Sequence, residues 1–91
     1  MASAVTTTSH EKIRAWVEEN NGRPARVEGT GGRDDPGMLR IDFDERDERL
    51  APIGWEEWFE AFERNRLALL HAQDSRFNKL VSRDGEAEED P

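Results

Sequence analysis

Trp55, Trp58, Phe59 and Phe62 stand at i, i+3, i+4 and i+7, the spacing that lines side chains along one side of an α-helix. The whole chain of 91 residues has only 22 Val, Ile, Leu, Met, Phe and Trp side chains. A core drawn from so small a stock has to form around its bulkiest members, so the helix that carries them decides where the rest packs. The flanking residues agree with this reading. Gly54 is the expected N-cap, and Glu56 and Glu57 follow in the first turn, where the helix dipole favours negative charge. Ile53 and Trp58 are placed to form a hydrophobic staple, and Arg64-Asn65-Arg66 closes the helix. Trp58, Phe59 and Phe62 are expected to be buried, and Trp55, at the first turn, to be partly exposed.

An earlier helix, about Ser9 to Asn20, places Ile13, Trp16 and Val17 on one stripe. Thr8 is read as its N-cap in a capping box with Glu11. Asn20-Asn21-Gly22 ends it, since Asn and Gly tolerate left-handed backbone. Pro24 to Gly29 and Met38 to Phe43 alternate as strands, joined by the turn-rich segment Thr30 to Gly37. In the second of these, Leu39, Ile41 and Phe43 face one way and Met38, Arg40 and Asp42 the other. Asp44 to Arg49 reads as linker. Leu67 to Ala72 is apolar on both faces and suits a central strand. After a turn at Gln73 to Arg76, Phe77 to Arg83 suits a last strand. The expected order is α-β-β-α-β-β: an α+β fold with two helices packed on one small antiparallel sheet. Residues 9–83 form the single domain, 1–8 a flexible N-terminus, and 84–91 a disordered acidic tail.

Length and composition exclude several classes. A β/α barrel needs about 250 residues. No run approaches the roughly 20 apolar residues that span a bilayer, so no membrane partner is expected. The first nine residues lack the basic and apolar regions of a secretory signal. There is no cysteine, which removes disulfides and thiolate metal sites and fits a cytoplasmic location.

Charge is divided along the chain. Asp42 to Glu63 carries nine acids and two bases, whereas Arg64 to Arg83 carries five bases and one acid. The bland reading of this division is solvated surface. The sharper one is a basic patch shielded by acidic segments. Its members are Arg64, Arg66, Arg76, Lys79 and Arg83, of which a hairpin would gather three or four at one edge to meet phosphates or an acidic protein surface. An overall charge of -8 and a pI near 4.7 argue against nucleic acid.

No catalytic, cofactor-binding or metal-ligating residue is assigned. His10 and His71 stand in no ligand-spaced pattern. Gly29-Thr30-Gly31-Gly32 has no helix behind it to hold a phosphate and reads as a hairpin loop. Asp42 to Glu48 is excluded as an EF-hand, with Arg46 and Asp47 at the positions that need an acid and a glycine. Trp55 and Trp58 fit a sugar-stacking platform or a buried stripe, with burial favoured.

The segments HEKIRAWVEENNGRPARVEGTG, GMLRIDF, IGWEEWFEAFERNRLALLHA and SRFNKLVSRD resemble a family of small bacterial proteins of unknown function. Some of its members carry the label "1,4-alpha-glucan branching enzyme". The resemblance runs from about His10 to Asp84 and implies a stand-alone cytosolic domain, without established catalytic residues. Gly54 stands where the family shows a helix-capping Ser, and His71 where it tends to show Tyr. Glycosyl transfer of the labelled kind uses two positioned carboxylates on a large scaffold, which a chain of this length does not provide, and we read the label as transferred in error. The expected function is a small non-enzymatic interaction or accessory domain, monomeric or weakly dimeric, that binds another protein. The alternatives are a nucleic-acid-associated factor using the basic hairpin and an alpha-glucan-associated protein.

Overall fold

The structure is a computed structural model that describes residues 4–32, 37–43 and 48–83. Its elements are β1 (Ala4–Thr7), α1 (His10–Glu19), β2 (Arg23–Val27), β3 (Leu39–Asp42), β4 (Leu50–Pro52), α2 (Trp55–Arg64), β5 (Leu67–Ala72) and β6 (Asn78–Ser82). The α+β class stands, with two helices as expected. The single sheet does not. There are two three-stranded antiparallel sheets, β1-β5-β6 and β3-β2-β4. The expected hairpins both form, with β2 against β3 and β5 against β6. Each then takes a third strand, β1 or β4, from a segment for which the sequence predicts none. The acidic tail, 84–91, lies outside the described residues.

Ala4–Thr7 was expected to be loose. It pairs with β5 from Ala4↔Ala72 to Thr7↔Leu69. The cause is β5 itself: a central strand exposes backbone donors and acceptors on both edges, and β6 serves only one of them. Ala4, Val5 and Thr6 are exposed, so the strand rests on backbone pairing and β propensity rather than on a buried face. Similarly, Leu50–Pro52 adds to β2 from Ala25↔Pro52 to Val27↔Leu50. Pro52 is tolerated there because β4 is an edge.

The two helices are sewn to different sheets by indole groups. Trp58 is fully buried and stacks on Phe62, with centroids 5.4 Å apart, while its Nε1 donates to the Arg40 carbonyl of β3 at 3.1 Å. Trp16 of α1 donates through Nε1 to the Ala72 carbonyl of β5 at 2.9 Å. Ile13, Val17, Leu39, Ile41, Ala61 and Leu69 complete the buried cluster around these rings. Ile53, Phe43, Leu67 and Leu80 pack against it half-buried. One polar group is buried against expectation. Asp42, read as outward-facing, is 6% exposed and lies opposite Arg23, whose Nε is 3.6 Å from its Oδ2.

Helix ends differ in detail from the capping-box reading. The N-cap of α1 is Ser9 rather than Thr8. Its side chain accepts from the Lys12 amide at 3.2 Å, and its own amide donates to Thr7 Oγ1 at 3.0 Å. Thr8 is exposed, and Thr7 provides the second hydroxyl. At the other end Asn21 takes the left-handed conformation, φ 63°. Asn21 N donates to Glu18 O and Gly22 N to Val17 O, the two bonds of a Schellman close. What favours glycine at position 22 is space rather than torsion. A Cβ there would lie 3.0 Å from side-chain carbons of Val17, Ile41 and Phe43. In α2 the N-cap is Gly54, as expected, without a side-chain bond and with open space where a Cβ would stand.

These two glycines should respond oppositely to substitution. Gly22→Ala overpacks the core and is expected to cost about 1–3 kcal/mol. Gly54→Ser adds a cap and stiffens the unfolded chain, for a gain of roughly 0.5–1 kcal/mol. Urea-unfolding midpoints measure both. A stabilised Gly22→Ala protein would refute the packing described here.

Candidate functional site

The β5–β6 hairpin carries the basic residues read from the sequence as a patch. Its register runs from Leu67↔Ser82 to His71↔Asn78. Arg64 and Arg66 leave α2 at the Leu67 end, and Arg83 returns there, its amide donating to the Arg66 carbonyl. Arg76 lies in the turn at the other end. Five strand steps separate the two ends, about 17 Å at the usual rise. Lys79 stands between them, opposite Leu70 and exposed. The hairpin thus brings three of the five together and holds the other two apart from them.

Arg83 is committed internally. Its guanidinium donates to both oxygens of Glu63, at 3.1 and 3.2 Å, and through Nε to the Leu67 carbonyl at 3.0 Å. It also lies 5.5 Å from the centre of the Phe62 ring. Arg64 sits 3.7 Å from Glu60, and Arg76 packs over the Phe43 ring at 5.4 Å.

Glu63 links this fastening to the first helix. His10 donates from Nε2 to Glu63 Oε2 at 2.7 Å. The His10 ring stacks on Phe59, centroids 4.1 Å apart and planes within 9°, and Phe59 stacks in turn on Trp55 at 5.1 Å and 18°. The result is a three-ring ladder from the start of α1 to the start of α2. Phe59, expected in the buried stripe with Trp58 and Phe62, is half-buried here. Trp55 is half-buried, as its first-turn position suggested.

The ladder borders an open groove of about 600 Å³ between the helices. Glu11, Arg14 and Glu18 of α1 form one side and Glu56 of α2 joins the rings on the other. Arg14 Nε is 3.0 Å from Glu18 Oε2. The three indoles divide here. Trp16 and Trp58 donate to backbone carbonyls, whereas Trp55 Nε1 meets no acceptor among the described residues. A second open groove, about 580 Å³, lies over Leu39, Leu67 and Leu80 with Met38 at its border.

Trp55 stands out in the sequence by its first-turn position, whereas the groove does not. His10 and Phe59 are far apart in the chain, and nothing local announces that their rings meet. His71, the other imidazole, is 9% exposed and lies 4.8 Å from the Trp16 ring, inside the packing of α1 on β5. Among the described residues no three of His, Asp and Glu are grouped to hold a metal ion, and no helix is long and apolar enough to cross a membrane.

Comparison of the chain with family profiles, with curated proteins and with solved structures gives no match in any of the three. The resemblance noted above rests on the quoted segments alone.

The hydrogen bonds from Arg83, and then from His10, pull the Glu63 carboxyl from its ordinary 4.5 down to about 2. A carboxyl lowered by folding stabilises the fold fully above its unfolded value, and that contribution disappears as pH falls toward the folded value. The stability difference between wild type and Glu63→Gln should therefore be constant above about pH 5. It should shrink between pH 4.5 and about 2. Unfolding midpoints at pH 7, 4 and 3 check this. An unchanged difference at pH 3 would show that Glu63 is not held ionised by these partners.

Proposed function

We propose that this chain is a non-enzymatic interaction domain and that the groove between α1 and α2 receives another protein. The observation that carries the reading is the divided fate of the aromatic stripe. Trp58 and Phe62 are wholly consumed by the core, while Trp55 and Phe59 stay half-buried beside the groove. Tryptophan combines a large apolar surface with one donor, which is why it dominates the energetics of many protein interfaces. At Trp55 both remain available: part of the ring, and an N–H without an internal acceptor among the described residues.

The nucleic-acid reading draws less support, since Arg83 is bound to Glu63 and Arg76 sits at the far end of the hairpin. The alpha-glucan reading shares Trp55 with the preferred one, because sugars also stack on indoles. It differs in what should quench tryptophan fluorescence.

Immobilised wild-type and Trp55→Ala chains, exposed to extract of the cells that make the protein, test the proposal. We expect a protein retained by the wild type and weakened roughly 30-fold or more by the substitution, the scale of an interface hot spot. Circular dichroism should confirm an unchanged fold. Equal retention by both proteins, or saturable fluorescence quenching by maltooligosaccharides, would overturn it.

A further inference from the structure

We infer that the segment received by the groove is basic, with an arginine or lysine side chain lodged between the Trp55 ring and the carboxylates of Glu11, Glu18 and Glu56. This rests on the groove being the docking site. It adds the chemistry of the partner.

Three observations converge on it. First, the groove border is acidic in excess: three carboxylates against Arg14, which is itself held by Glu18. Second, the excess belongs to this side of the molecule. The two helices carry seven carboxylates and three basic side chains, whereas residues 65–83 carry four basic side chains and Asp74 alone. A field so divided steers a partner to one face.

Third, the carboxylates of the groove stand beside the Trp55 and Phe59 rings. Carboxylates in a first turn, such as Glu11 and Glu56, are favoured by the helix dipole. The last turn of α1 holds Glu18 and Glu19 and no basic residue, which is the unfavourable sign. At Glu18 the i,i+4 pair with Arg14 offsets this, and Glu18 is the one of the two that borders the groove. An aromatic face beside carboxylates is the setting in which a guanidinium or ammonium group is held most strongly. A neutral ligand gains nothing from that field.

The probe is a seven-residue peptide of alternating alanine and arginine, with a glutamate version as control, titrated into the full chain. Tryptophan fluorescence is compared with that of Trp55→Phe to isolate the Trp55 signal. The arginine peptide should bind and the glutamate peptide should not. Raising salt from about 50 to 300 mM should weaken binding about tenfold or more, as expected for screened charge. The combined Glu11→Gln, Glu18→Gln, Glu56→Gln variant should lose at least about tenfold. Arg14→Gln, which removes the internal competitor, should tighten binding a few-fold. Neutralising Glu19 and Glu57, outside the groove, should change it less than about twofold. No binding of the arginine peptide, equal binding of both peptides, or equal losses on neutralising groove and non-groove carboxylates would overturn the inference. If the cellular protein retained through Trp55 is held equally by the triple variant, the docking site stands and its basic partner falls.

Discussion

The burial of Trp58 is the constraint on which the rest of the molecule depends. One side chain is fully buried under α2, stacks on Phe62 and ties its N–H to the Arg40 carbonyl of β3. That bond is a directed polar link between α2 and β3. Trp16 supplies the corresponding tie between α1 and β5. Indole is suited to this, because it buries a large apolar surface while its single donor fixes direction. Two small sheets with no backbone bonds between them among the described residues are in this way kept in register by side chains from the helices.

Much of this was legible in the order of residues. The α2 stripe, its glycine cap, its arginine-rich end and the two hairpins all follow from periodicity and turn chemistry. The features that leave no mark in the sequence share a cause. Ala4–Thr7 and Leu50–Pro52 are strands because β5 and β2 have an edge to fill, a demand that arises only after folding. Their own side chains carry little pattern, since most of β1 faces solvent. Asp42 is similar: its alternation was read correctly, but its burial depends on Arg23 from the neighbouring strand. Ser9 displaced Thr8 as cap because β1 fixes where the chain turns into α1, and Thr7, the last residue of that strand, bonds the Ser9 amide.

The candidate site shows the same division between local and distant information. Charge segregation could be counted along the chain, and Trp55 could be singled out by its place in the first turn. The meeting of His10 with Phe59, and of Arg83 with Glu63, could not. The second of these changes the meaning of the basic hairpin. A residue read as available for a partner is instead the clasp that holds the end of β6 to α2. The sign of the surface then falls to the helices, where carboxylates stand beside an aromatic ladder.

Strand direction in the β1-β5-β6 sheet has a mechanical consequence. Both outer strands run antiparallel to β5, so β1 begins beside Ala72 and β6 ends beside Leu67. Tension applied through residues 4 and 82 would drag the outer strands in opposite senses along the middle one. The backbone bonds on each side would then be strained together in shear rather than peeled away singly. The sheet is thereby loaded along its strands, on both flanks of β5 at once.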